Sequence, residues 1–268
     1  MKDIRDEIFK EMLLKRVTAK IIAVEAGIVT GTVDARLEAE NLGLEILQWI
    51  EDTSLVKKGD TIATFSGNPK QIVVAEEVIM GHMAKPSGIA TAAKRFVEKC
   101  GDRPKVVSGS WKKMPIELKD KIRSAVAAGG AAIRISNTPF IYLDKNYIKI
   151  LGGIASSLQA TLEIKDRKRV IQIHGHFSDI ASEAIEAVHN GADIVFVDTG
   201  QINDARKVLA ALSEKEKNLR LKVEVVFAGG VCFGDLDELK QLDLDFLDVG
   251  RAIVDAPLLD MRMEVVQI

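Results

Sequence analysis

Lys112 and Lys113 follow Trp111 in the stretch SGSWKKMP. Paired positive charge suits an anionic ligand such as a phosphate or diphosphate, and the indole offers a face to a planar ring. The same lysines would serve as a solvated surface pair. Arg134 lies in the apolar run 131–135, where a cation needs an anionic partner, either a structural carboxylate such as Asp144 or a ligand. His174-Gly175-His176 ends the run Val170-Ile171-Gln172-Ile173. If that strand continues, spacing of i and i+2 sends both imidazoles to one side. Asp198 closes the run 193–197, where a carboxylate can bind a metal ion or sugar hydroxyls, or cap the next helix. His174, His176 and Asp198 together would form a transition-metal site, though no fourth ligand stands at a matching spacing. A hydrogen-bonding role for one histidine is the simpler expectation. Gly229-Gly230 and Gly250 follow apolar runs; without Cβ atoms their amides can approach a phosphate closely, or they can simply allow tight turns.

These residues fall at the ends of short β-rich segments: KVVSG, AAIRIS, VIQIHG, DIVFVDTG, VEVVFAGG and LDFLDVG. Helical patterns between them, such as 122–128 and 179–189, predict right-handed βαβ units and a parallel six-stranded barrel whose chemistry sits at the strand C-termini. Upstream, apolar Ile4, Ile8, Met12 and Leu13 predict a helix over 3–14. Short strands are expected at 17–27, 27–35 and 57–67, with helices at 35–45 and 71–83. Pro86 and Gly88 read as a junction, with Ser87 capping a further helix. The fold class is therefore α/β: a mixed first domain over 1–86, a barrel over 87–254, and 255–268 carrying a strand back to the first domain.

With 268 residues the chain can bury a large core, and 47% hydrophobic with 28% charged residues is ordinary for a globular protein. A net charge of −2 and 5% aromatic residues argue against nucleic acid as a partner. No apolar run reaches membrane-spanning length, and the charged N-terminus is unlike a signal peptide, so no membrane partner and a cytoplasmic location are expected. Cys100 and Cys232 show neither metal-ligand nor disulfide spacing.

SGIAT at 87–91, WKKMP at 111–115, AVAAGGAAIR at 125–134, YLDKNYI at 142–148, GADIVFVD at 191–198, FAGGV at 227–231 and LDFLDVG at 244–250 together resemble the quinolinate phosphoribosyltransferase family, also called nicotinate-nucleotide pyrophosphorylase (carboxylating). The resemblance covers nearly the whole chain. It implies an N-terminal α/β sandwich domain, an open α/β barrel and a homodimer or higher homo-oligomer. It also implies phosphoribosyl pyrophosphate and Mg²⁺ as reactants, with diphosphate leaving the ribose anomeric carbon. On that resemblance Lys112 and Asp198 are catalytic, Asp198 bearing on Mg²⁺ and ribose, and Gly229, Gly230 and Gly250 cradle the 5′-phosphate. Trp111, Lys113, Arg134 and His174 fall to substrate or phosphate binding. Ala228 replaces a serine usual in the family.

The acid-binding side departs from the family. Its arginine before the lysine is Trp111 here, and the arginine supplied across the dimer falls on Glu77. Asp144 stands for a lysine, Tyr147 for a histidine and His174 for an acidic residue. Each lost charge-assisted contact is worth about 1.5–3 kcal/mol, so the expected acceptor is a small planar nitrogen heterocycle less anionic than quinolinate. Two further readings are a transition-metal enzyme on His174, His176 and Asp198, and a non-catalytic protein that binds a phosphorylated small molecule.

Overall fold

A computed structural model describes residues 3–12, 14–214 and 219–268. The chain begins with α1 (Ile4–Ile8), β1 (Val17–Ala23), β2 (Gly27–Val29), α2 (Thr32–Asn41), β3 (Glu45–Trp49), β4 (Ser54–Val56), β5 (Thr61–Gly67) and α3 (Pro69–Cys100). It continues with β6 (Lys105–Val107), α4 (Ile116–Ala128), β7 (Phe140–Leu143), α5 (Lys145–Leu151), α6 (Ile154–Gln159), β8 (Lys168–Ile173), α7 (Ile180–His189) and β9 (Ile194–Val197). The last elements are α8 (Ile202–Leu212), β10 (Glu224–Phe227), α9 (Leu236–Leu239), β11 (Phe246–Asp248), α10 (Arg251–Val254) and β12 (Met261–Gln267). Two compact units result, one of residues 1–95, 113–130 and 253–268, the other of 96–112 and 131–252.

In the first unit an antiparallel sheet runs in the order β12-β1-β5-β3, beside a separate β2-β4 pair. β1 alternates buried and half-buried residues along its whole length, the period expected of a strand with one face in a core. Ile21, Ile62, Phe65, Ile72, Ile79 and Met83 are fully or almost fully buried in one cluster. The helix predicted over 3–14 is shorter, ending at Ile8, and Leu13 lies outside the described residues. The strand predicted over 27–35 stops at Val29, because Thr32 already begins α2.

The break between helices predicted at Pro86 does not occur, since Pro86 lies in the middle of one 32-residue helix. Ser87 caps nothing. Its buried hydroxyl accepts from Thr30 N at 3.0 Å and donates to Thr30 O at 3.3 Å, and Thr91 Oγ1 accepts from Ile28 N at 2.9 Å. These two side chains pair backbone groups at β2 that no strand satisfies, as buried polar backbone requires. Gly88 is needed for a close approach: a Cβ there would lie 1.9 Å from the Pro257 carbonyl oxygen. The motif SGIAT is therefore a packing device of α3.

The second unit holds a six-stranded parallel sheet in the order β6-β11-β10-β9-β8-β7. Val107, Val170, Ile194, Phe196 and Val226 form one cluster with Phe140, Tyr142 and Phe246 packed on it. The two edge strands of this sheet, β6 and β7, nevertheless line one cavity through Val107, Phe140 and Tyr142; edges that meet in this way mean that the sheet is curled into an open barrel. The six strands are not the six predicted ones. AAIRIS makes only a single bridge, Ala132 to Val107, and the sixth strand is β7. Ala132 and Ile135 instead join the interior cluster, so this segment is held by burial of its apolar side chains.

Candidate active site

The strand order decides which chemistry meets. Around the C-terminal ends of the sheet come the β6 turn with Lys112, then Asp248 and Gly250, Gly229-Gly230, Asp198, His174 and Asp144. Residues Ser110–Lys113 coil into a 3₁₀ turn, and the Trp111 indole N–H donates to Ile133 O at 3.3 Å. That bond ties the β6 turn to the segment carrying Arg134. Lys112 Nζ lies 5.4 Å from the centroid of the Tyr142 ring, within cation–π range. Tyr142 and Phe196 meet edge to face at 5.4 Å. Trp111, Lys112, Arg134, Tyr142, Phe196 and Asp248 thereby line one cavity of about 610 Å³, room for a planar ring and a sugar phosphate. Lys113 is exposed and does not line it.

Asp198 is held from the neighbouring strand. Gln172, buried in β8, donates from Nε2 to Asp198 Oδ2 at 2.5 Å and accepts from Lys145 N at 3.0 Å through Oε1. A backbone N–H can only donate, so it fixes which way the amide faces. Asp198 does not cap α8, whose N-cap is Gln201. Across the mouth, Asp248 Oδ1 accepts from Gly109 N at 3.1 Å. Burial, then the carboxylates of Asp198, Asp248 and Asp144, push the Tyr142 phenol far above its ordinary range, so it stays a neutral hydroxyl among carboxylates.

The glycines divide in role. Gly229 has φ +105°, and a Cβ on it would lie 2.2 Å from Gly200 N, while Gly200 N donates to Ala228 O at 3.0 Å. Gly229 therefore serves the packing of two loops. Gly230, at φ +91°, faces open space, which leaves its backbone approachable. At Gly250 a Cβ would lie 2.4 Å from Ser110 Oγ, so the β11 and β6 turns meet there.

Other expectations fail. Among the described residues no group of three or more His, Cys, Asp or Glu side chains is placed to hold a metal ion, which removes the His174, His176 and Asp198 triad. The two imidazoles stack on each other at 5.1 Å, and Asp198 is engaged by Gln172. Asp144 gives no partner to Arg134; it caps α5 by accepting from Asn146 N and Tyr147 N. Arg134 is exposed at a bend and makes no ion pair among the described residues, because its segment is not a strand. Within the first unit, Glu77 accepts from Arg5 at 2.7 and 2.6 Å, a contact that bears neither way on its expected place facing a dimer partner.

Tyr142, Phe196 and Gln172 are site residues that the sequence reading did not assign. Gln172 had a signal: it is the polar residue in the run Val170-Ile171-Gln172-Ile173, and a polar side chain in a buried strand needs a partner. Phe196 had none, since its strand is apolar throughout.

A curled parallel barrel with a cationic, aromatic cavity and an aspartate just past the end of a central strand fits enzymes that handle phosphorylated sugars. The chain matches the quinolinate phosphoribosyl transferase N-terminal domain over residues 6–87 and the C-terminal domain over 89–264. It belongs to the quinolinate phosphoribosyl transferase family. A probable nicotinate-nucleotide pyrophosphorylase (carboxylating) of Archaeoglobus fulgidus is 26% identical over 260 residues, covering 94% of this chain and 96% of that protein. A chloroplastic nicotinate-nucleotide pyrophosphorylase (carboxylating) of Arabidopsis thaliana is 23% identical, covering 93% and 74%. The solved structure of NadC from Streptococcus pyogenes superposes with a TM-score of 0.82 at 20% identity, covering 100% of this chain and 92% of that one.

Proposed function

We propose that the chain transfers ribose 5-phosphate from phosphoribosyl pyrophosphate to a small planar nitrogen heterocycle that carries less negative charge than quinolinate. The observation that carries this reading is the meeting of Lys112, Tyr142, Phe196 and Trp111 in one cavity, in a chain of this family. As diphosphate leaves, positive charge grows at the anomeric carbon and negative charge on the leaving group. In this reading Lys112 serves the leaving group and Asp198 the ribose, and the turns at Gly230 and Gly250 take the 5′-phosphate. The aromatic walls hold the acceptor ring flat and keep water from it. Gln172 leaves Asp198 Oδ1 without a protein donor among the described residues. This fits Mg²⁺, which takes one or two carboxylates together with substrate phosphates rather than a full protein cage. When bound, the ion would offset charge on the departing diphosphate.

Acceptor preference follows from charge. Lys112, Arg134 and Arg167 line the cavity against the carboxylate of Asp248, Trp111 brings no charge, and Asp144 and Tyr147 do not line it; with Lys112 given to the diphosphate, one net positive charge is left for the acceptor. Diphosphate release is to be measured with phosphoribosyl pyrophosphate, Mg²⁺ and a series of pyridines carrying two, one or no carboxylates. The expected result is a kcat/KM at least tenfold higher for a ring with one acid group or none. Highest turnover of the dicarboxylate would overturn the acceptor assignment. Absence of both turnover and calorimetric binding of phosphoribosyl pyrophosphate would overturn the transferase reading. Binding without turnover of any ring would leave a non-catalytic binding protein. We also propose a homodimer, supported by the family and by exposed Tyr147, Ile150 and Leu151 on α5; light scattering should return twice the 29.3 kDa chain mass.

A further inference from the structure

A second cavity, about 460 Å³, lies at the C-terminal ends of β7 and β8. Lys145 and Lys149 of α5 line it with His174 and His176, and Ile154 and Phe177 add apolar wall. Neither lysine makes an ion pair among the described residues, and both are exposed. His174 Nε2 is buried with no hydrogen-bond partner, a costly state that a ligand can relieve.

The carboxylates nearby are already engaged. Glu183, 1% exposed, accepts from the backbone N–H groups of His174, Gly175, Phe177 and Ser178. It holds the β8 loop shut and leaves the imidazoles unpaired with any acid. Asp179 caps α7 and accepts from Ser182 Oγ, Asp144 caps α5, and Glu186 accepts from Ala155 N. The cavity is thus lined by two ammonium groups without an ion-pair partner among the described residues, two imidazoles, and Glu183, whose carboxylate oxygens are occupied by those backbone N–H groups.

We propose that this cavity is an anion site of its own, taking a small organic oxyanion, a carboxylate or phosphate monoester, with its apolar body against Ile154 and Phe177. It is separate from the cavity at Trp111 and Tyr142, and Gln172 is the side chain that links it to Asp198. The inference does not depend on phosphoribosyl transfer.

The four histidines of the chain allow a direct test by imidazole nuclear magnetic resonance at one fixed pH, with His174→Gln and His176→Gln assigning the signals. Inorganic phosphate and propionate are the two probes. The expected result is saturable movement of the His174 and His176 signals in the millimolar range. The affinity should weaken at least tenfold in Lys145→Ala/Lys149→Ala and stay unchanged in Lys112→Ala, which alters only the other cavity. Saturation by phosphate alone assigns a phosphomonoester, and by propionate alone a carboxylic acid; both uphold the site. Signals unmoved by either probe, or equal saturation in the double-lysine variant, would overturn it.

Discussion

Gln172 controls how Asp198 is presented, because its amide is fixed at one end by Lys145 N and donates at the other to Oδ2. Gln172→Glu replaces the donor by a second carboxylate, and like charges at that distance raise one carboxyl pKa. The expected outcome is a fall in kcat of at least tenfold, about 1.4 kcal/mol, with the acidic limb of the pH profile moved upward. An unmoved limb would show that Gln172 is a packing residue only. Tyr142 yields a second prediction. An unfolded phenol ionises near about pH 10, whereas burial and three carboxylates hold the folded one protonated well above that. Its contribution to stability is then complete below the unfolded value and is lost as pH rises above it. Subtracting the ultraviolet titration of Tyr142→Phe from that of the wild type should leave no ionisation in the ordinary phenol range before alkaline unfolding. The roles of Lys112 and Asp198 come from family motifs, whereas neighbours such as Tyr142 and Phe196 are brought together by strands distant in the chain.

At the scale of the element, α3 shows how little a residue type says without its neighbours. Gly81 and Gly88 stand on the same helix. A Cβ on Gly81 meets nothing within 4 Å, while one on Gly88 meets the Pro257 carbonyl at 1.9 Å. Gly81→Ala should stabilise the protein by about 0.8–1 kcal/mol through helix propensity. Gly88→Ala should destabilise it by about 1–3 kcal/mol through overpacking, and paired thermal melts check the opposite signs. A proline with a glycine two residues on predicts a break, yet tertiary hydrogen bonds from Thr30 N, Ile28 N and Leu259 N hold the helix through both. The reverse happened at 131–135, where β-like composition became a bend, with Ile135 buried and Ala132 half-buried against the interior cluster outside any ladder.

For the whole molecule, β12 pairs along β1 from Met261 to Gln267 and covers what would otherwise be an open sheet edge. A chain ended after Asp260 should lose cooperative melting or aggregate, as light scattering during a thermal ramp would show. Ligand linkage supplies a complementary expectation. Phosphoribosyl pyrophosphate with Mg²⁺ at about 100 times its Kd should add about 2.7 kcal/mol, seen as a raised Tm that chelation of the metal abolishes.

The α/β class, the run of parallel strands β8 to β11 and the residues that end them were legible in the order of residues alone. Apolar β-branched runs and glycine turns are local signals, and the family motifs are strings of neighbours. Folding in three dimensions settled that β7 takes the place expected for residues 131–135. It also decided that Gly229 packs on Gly200 while Gly230 stays open, and that Gln172 orients Asp198. These depend on which strand ends lie side by side in the curled sheet, and adjacency between residues far apart in the chain leaves no local mark on it.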